Sequence, residues 1–277
     1  MSDHTAIEWT DATWNPVTGC TKVSQGCKHC YAERDWARLS ANPATKYFRR
    51  AFADVQCHPD ALVLPLRWTK PRRIFVNSMS DLFHPDVPIQ FLEDVMTTME
   101  MASHHTFQVL TKRPAQMLDA LQRIATPVPP NVWLGVSIED QATADERLPL
   151  LMEVTARVRW VSAEPLLGPM NIARWLQPRQ RPNDDGYGGV HAPGWTTDFT
   201  TLGWIVVGGE SGPHARLMHP AWVRSLRDQC IAARVPFLFK QWGEWLPDER
   251  DPEIWHKVGK KAAGRLLDGR TWDEYPA

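Results

Sequence analysis

The chain has 277 residues, 43% of them hydrophobic and 23% charged, with a formal net charge of −1. That length suits one large domain with a sizeable core, and the near-zero charge excludes a global electrostatic pull toward nucleic acid or membrane. Five cysteines, an odd number clustered rather than spread, exclude a secreted disulfide scaffold and favour a reduced, cytoplasmic protein.

The opening "MSDHTAIEWTDATWNP" has neither a basic start nor an apolar run, so no signal peptide is expected. No apolar segment reaches membrane-span length, and no membrane partner is expected. A first strand is predicted near "IEWTDATWNP". It leads into "GCTKVSQGCKHCYA", residues 19–32, which carries Cys20, Cys27 and Cys30 at C-x6-C-x2-C spacing. Residues 34–73 hold nine Lys/Arg against three acids, Asp35, Asp54 and Asp60, with Trp36, Tyr47, Phe48, Phe52 and Trp68 interleaved. That segment suits a phosphate-bearing partner, a nucleic acid or a nucleotide. It equally suits a solvated helix face with its aromatics turned inward.

From residue 73 a short apolar run ending in polar residues repeatedly precedes a helical pattern. "RRIFVNSMSD" predicts a strand at 73–77, and "PIQFLEDVMTTMEMAS" a helix opened by Pro88. "TFQVLTKRP" predicts a strand at about 106–110 and "PAQMLDALQRIA" a helix. "NVWLGVSIED" and "VRWVSAEPLLG" predict strands, with the helix "QATADERLPLLMEVTA" between them. "GWIVVGGESG" and "VPFLFKQWGEW" predict two more strands, joined by the helix "HPAWVRSLRDQCIAAR", which holds Cys230 as a small core residue.

Strands alternating with helices imply parallel β/α units. Polar residues fall at the C-terminal end of each strand, the face on which β/α barrels build their sites. One early strand plus six later ones predicts an α/β fold, a partial (open) β/α barrel of parallel strands over residues 1–242. Residues 177–201, rich in Pro, Gly and Asp, read as an insertion. Residues 243–277 read as a C-terminal extension without clear period, ending in a small hairpin through Asp268–Gly269.

Three clustered thiols have three uses. A disulfide suits neither the compartment nor the third cysteine. Structural zinc needs a fourth ligand, and Cys20 with His29, or Cys57 with His58, forms no standard pair with Cys27 and Cys30. An iron–sulfur cluster held by three cysteines keeps one iron open for an outside ligand. Cys57, beside His58, reads as a plain thiol, with a second redox group or hydrogen donor as the other option.

The C-x6-C-x2-C loop after a first strand of a partial barrel resembles the radical S-adenosylmethionine superfamily, whose usual spacing is C-x3-C-x2-C with an aromatic before the last cysteine. Here His29 takes that place and Tyr31 follows Cys30. "IEWTDATWNPVTGCTKVSQGCKHCYA", "NSMSDLFH", "LTKRP", "GVSIE", "SAEPLLG", "GGESG" and "KQWGEW" together look like one phage- and plasmid-associated, radical-SAM-like family of unknown function, over nearly the whole chain. The resemblance implies a [4Fe-4S] cluster on Cys20, Cys27 and Cys30, S-adenosylmethionine as second cofactor, and an external electron donor. It places Ser78, Ser80 and Asp81 near the cofactor's amino group. Ser137 and Glu139 would meet its ribose or carboxylate, and Lys112 and Arg113 its carboxylate or a substrate phosphate. Glu164, at another strand end, would also face it. "GGE" at Gly208–Glu210 matches the superfamily's amino-binding motif by letters only, on a much later strand, and is not given that role.

The function so implied is radical chemistry on a nucleobase substituent, with an amino-acid-modified thymidine in phage DNA as the specific expectation. A duplex base would have to be flipped out to reach the barrel mouth. A tRNA base or a small molecule is the alternative substrate. The rival from another class is a zinc-stabilised, non-catalytic nucleic-acid-binding protein, which explains the cysteines and the basic segment but not six polar strand ends on one face.

Overall fold

Along the strand Val132–Ser137 every residue is buried, yet the two faces differ. Val132, Leu134 and Val136 pack with helix residues such as Leu148 and Met117, while Trp133 joins a separate cluster with Trp9, Phe75, Trp160 and Trp204. Alternate side chains leave a strand on opposite faces, and both faces here are covered, as a parallel sheet requires. The same alternation runs through the neighbouring strands and divides the interior into an outer, helix-covered layer and a concave, tryptophan-rich one.

The computed structural model describes residues 5–124, 126–177, 201–248, 250–251 and 253–277. In chain order the elements are β1 (Ala12–Trp14), β2 (Val17–Thr18), α1 (Tyr31–Ser40), β3 (Gln56–Cys57), β4 (Arg73–Val76), α2 (Ile89–Met101), β5 (Thr106–Thr111) and α3 (Pro114–Arg123). Then come β6 (Val132–Ser137), α4 (Gln141–Glu153), β7 (Val158–Ala163), α5 (Ala173–Leu176), β8 (Trp204–Gly208), α6 (Pro220–Ala233), β9 (Phe237–Gln241), β10 (Trp245–Pro247), β11 (Trp255–Lys257) and α7 (Lys260–Ala263). Seven strands form one sheet in the order β1-β4-β5-β6-β7-β8-β9, and every neighbouring pair is parallel. This is the open half-barrel expected, with one strand before the cysteines and six after residue 73.

The C-terminal tail is tied to the sheet. The bridge between Leu238 and Asp273 lays the tail antiparallel along β9, which covers an otherwise unpaired edge. Trp204 Nε1 donates to Glu274 O at 2.8 Å. The tail, whose sequence shows no clear period, contains the β10–β11 pair and the single turn of α7. Asp268 and Gly269 both adopt positive φ, 52° and 78°, between the bridged Leu267 and Arg270, so the expected hairpin is present. Of the expected insertion only its first residue, Gln177, and its last, Thr201, are described; residues 178–200 lie outside the described residues. Cys230 is fully buried in α6, as expected. Cys57 sits in β3, paired with Val17 of β2, where no structure was expected. Among the described residues no helix is long and apolar enough to cross a membrane.

Candidate functional site

The cysteine loop starts where β2 ends. Gly19 has φ +90°, and a side chain there would put its first carbon 2.3 Å from Asp54 O, so only glycine fits this turn. Cys20 follows, its N–H on Phe52 O at 2.9 Å. Cys27 closes a short 3-10 turn, Gln25–Cys27. Cys30 stands at the N-terminal cap of α1. All three thiols are free, partly buried, and line one cavity of about 370 Å³. The rest of its wall comes from the C-terminal ends of the later strands: Ser78 and Ser80 after β4, Lys112 and Arg113 after β5, Ser137 in β6, Glu164 after β7, Glu210 after β8, and Lys240 in β9. Its apolar part includes Ile7, Trp9, Phe52, Phe75 and Leu110.

Burial pushes the Cys20 thiol up to about 12, assisted by the charge of Asp81 and opposed by Arg113. Burial also raises Cys30, while the Glu33 and Ala32 backbone N–H groups and Lys112 pull it down. Thiols crowded together out of water resist ionising separately, and cations at the same place favour thiolates. Arg113 Nη1 donates to Cys20 Sγ at 3.8 Å, the kind of outer contact that tunes a metal-bound sulfur.

Three strand ends hold the loop. Arg113 Nη2 donates to Thr21 O at 3.0 Å and Thr21 Oγ1 at 2.8 Å, and Thr21 Oγ1 also meets His84 Nε2 at 2.8 Å. Glu139 receives Ser24 Oγ at 2.9 Å. It is itself set by Thr143, whose hydroxyl accepts from Glu139 N at 2.8 Å, beside the Asp140–Thr143 capping box that opens α4. Glu210 receives His29 Nδ1 at 3.1 Å and Arg216 Nε at 2.9 Å, and Arg216 Nη2 reaches Gln25 O at 2.9 Å. Burial works to raise Glu210, but the bonds from Arg216 and His29 outweigh it and hold the carboxyl below its ordinary value.

Of the residues expected at the cofactor, Ser78, Ser80, Asp81, Lys112, Arg113, Ser137 and Glu164 border the cavity. Their partners differ. Both Asp81 oxygens accept from Thr111 Oγ1, at 2.7 and 2.9 Å, and also from Phe83 N and Lys112 N. Ser80 Oγ donates to Val17 O, and Ser78 Oγ pairs with Asn15. Glu164 faces the cavity paired to Lys240 Nζ at 2.7 Å. Glu139 does not border the cavity: it is 1% exposed and binds Arg147 Nη1 at 3.2 Å, with Lys112 Nζ 3.7 Å away. Residues that sequence reasoning missed are Asn15, Thr21, Ser24, His84 and Arg216, none of which carries a local signature.

The basic segment divides. Trp36 is buried against Tyr47 and Phe52. Lys46 Nζ donates to Asn15 O at 2.6 Å, Arg50 binds Asp54 and Thr18, and Arg73 binds Asp11. Those cations serve the chain's own structure. Arg38, Arg49, Arg67 and Lys70 are exposed.

Among the described residues no three His, Cys, Asp or Glu side chains converge on one ion-sized point. A structural zinc needs four ligands converged on such a point. An iron–sulfur cube is larger, and each thiolate binds a different corner. Three free, soft donors around one hollow, beside Arg113 and Lys112, fit that group.

A family model described as "Protein of unknown function (DUF5131)" matches residues 4–276. Among curated proteins none matches. Among solved structures, spore photoproduct lyase is similar in three variant forms. One shows 15% identity and a TM-score of 0.35 over 55% of this chain and 45% of that chain. A second shows 14% identity and a TM-score of 0.35 over 54% and 44%. The chain thus spans less than half of the solved chains it matches.

Proposed function

The chain belongs to the DUF5131 family, and we propose that it is a radical S-adenosylmethionine enzyme holding a [4Fe-4S] cluster on Cys20, Cys27 and Cys30. One observation carries this reading: three free thiols share a cavity with the polar C-terminal ends of six successive strands. The cofactor pair, when bound, supplies one-electron chemistry that ends in a 5'-deoxyadenosyl radical.

The chain's own residues do the binding and positioning. Arg113 and Lys112 offset the thiolates' charge. Lys112, sharing the single charge of Glu139 with Arg147, has capacity left for a ligand carboxylate. Ser78, Ser137 and Glu164 offer polar contacts along the same wall. Trp9, Phe75 and Leu110 give an apolar surface on which a ring can lie. For the substrate we propose a nucleobase carrying a polar substituent. An amino-acid-modified thymidine in DNA is the first to test, with a tRNA base and free nucleosides as comparisons. The exposed cations between Arg38 and Lys70 are the proposed contact for a nucleic-acid backbone.

Anaerobic purification followed by iron, sulfide and zinc analysis tests the reading. The expected result is a brown protein with about four irons and four sulfides per chain, lost in each of Cys20→Ala, Cys27→Ala and Cys30→Ala. With S-adenosylmethionine and a reductant it releases 5'-deoxyadenosine. A colourless zinc protein that stays colourless after reconstitution would overturn the radical reading.

A further inference from the structure

The "GGE" at Gly208–Glu210 starts on the last residue of β8, the sixth strand of the sheet. Its glycines admit a close approach: a side chain at Gly209 would put its first carbon 2.0 Å from Trp242 O. That approach lets Glu210, 6% exposed, turn its carboxylate into the cysteine loop. One oxygen accepts from His29 Nδ1, Arg216 N and Arg216 Nε, and the other from Arg216 Nη2 at 2.6 Å. Arg216 then spends its remaining reach on Gln25 O. Opposite, Glu139 takes Ser24 Oγ, and Gly26 lies so close that a side chain there would meet Glu139 Oε1 at 2.3 Å.

We infer that Glu210 and Arg216, with Glu139 facing them, form a clasp that sets the shape of the Cys20–Cys30 loop before any cluster is present. Each gripped residue lies between ligand positions: Ser24, Gln25 and Gly26 within the six-residue gap, and His29 within the two-residue gap. A slack loop of this length would lose its conformational freedom at the moment of metal binding. A clasped one has lost it on folding, so the three thiols are presented together. The clasp residues touch no thiol. They are positioning residues acting through His29, Gln25 and Ser24, and charged hydrogen bonds of this kind are the strong ones.

The inference rests on the cluster reading for what the loop is for, but the ordering belongs to the cluster-free chain and is tested there. Hydrogen exchange of the cluster-free protein, read on peptides covering residues 20–30, compares wild type with Glu210→Ala and Arg216→Ala. Loop exchange about tenfold faster or more in both variants is expected, with peptides of β6 and β7 unchanged and Arg216→Lys restoring most of the protection. Unchanged loop exchange in Arg216→Ala, or loop exchange that rises only in step with that of the β6 and β7 peptides, would overturn the clasp. In reconstituted protein, iron loss to a chelator should be roughly 10- to 100-fold faster in Glu210→Ala, with an altered EPR spectrum of the reduced cluster. A wild-type protein that takes up no iron sinks the cluster reading alone, and the exchange result still decides the clasp.

Discussion

Asp81 stands at a strand end beside the cavity, yet its carboxylate is occupied by the chain itself. Thr111, Lys112 N and Phe83 N donate to it, and Arg113 Nη1 lies 3.5 Å away. Asp81 is 5% exposed and Arg113 6%. Removing one member of such a pair leaves a buried charge without compensation, which costs about 3–5 kcal/mol. Arg113 also grips Thr21 and Cys20, so the loss would reach the cysteine loop. Asp81→Ala is therefore expected to lower the urea midpoint strongly, before any ligand is added. A variant of wild-type stability with weakened S-adenosylmethionine binding would instead make Asp81 a cofactor contact.

At the scale of elements, the concave face of the sheet is held by tryptophans that need a gap in the neighbouring strand. Trp160 of β7 lies across Gly135 of β6; a side chain there would come within 2.6 Å of the indole ring. Trp160 in turn meets Trp9 at 5.2 Å and Trp204 at 5.3 Å between ring centroids. Gly135→Ala should cost about 1–3 kcal/mol by overpacking, seen as a lower melting temperature with an altered tryptophan emission; unchanged stability would mean that this layer has room to shift. Seven strands were legible in the sequence because apolar runs ending in "NSMSD", "TKRP", "SIED" or "GGES" repeat with intervening helices. The three-residue strands β10 and β11 were not, being too short to show a period. The cysteines were legible as a motif, but their clasp was not. His29 and Glu210 are 181 residues apart, and Gln25 and Arg216 are 191 apart, so no local pattern links them. Sequence also places Asp81 and Glu139 at strand ends without saying that each carboxylate turns toward a neighbouring arginine.

Over the whole molecule, titratable groups away from the cavity set how stability varies with pH. His58 Nε2 accepts from Thr18 Oγ1 at 2.7 Å, and Thr18 Oγ1 accepts from Arg50 Nη1 at 2.9 Å. Burial, and then the charges of Lys46 and Arg50, hold His58 down at about 4, with Asp60 opposing. Burial lowers His105 as well. It bonds Pro65 O through Nε2 and receives Arg72 N on Nδ1, which fixes a neutral ring. Below its ordinary value of 6.5, a histidine in the unfolded chain takes a proton that the folded chain refuses. The unfolded state then binds more protons, and stability falls as pH drops. On the alkaline side burial lowers Lys46 to about 8 from 10.5, so the folded chain releases its proton first and that group by itself raises stability with pH. Burial also holds the Cys20, Cys30, Cys57 and Cys230 thiols above their ordinary 9.0, so above that pH the unfolded chain ionises first and stability falls as pH rises. Urea midpoints should therefore climb from pH 4 to pH 6.5, level off toward pH 8, and fall above about pH 9, where four raised thiols outweigh one lowered lysine. His58→Gln retains an acceptor for Thr18 and does not titrate, so it should flatten the acid limb and leave the alkaline one. An acid limb of unchanged slope in that variant would assign the effect to His105 and His84, which burial also lowers, and contradict the part given to His58.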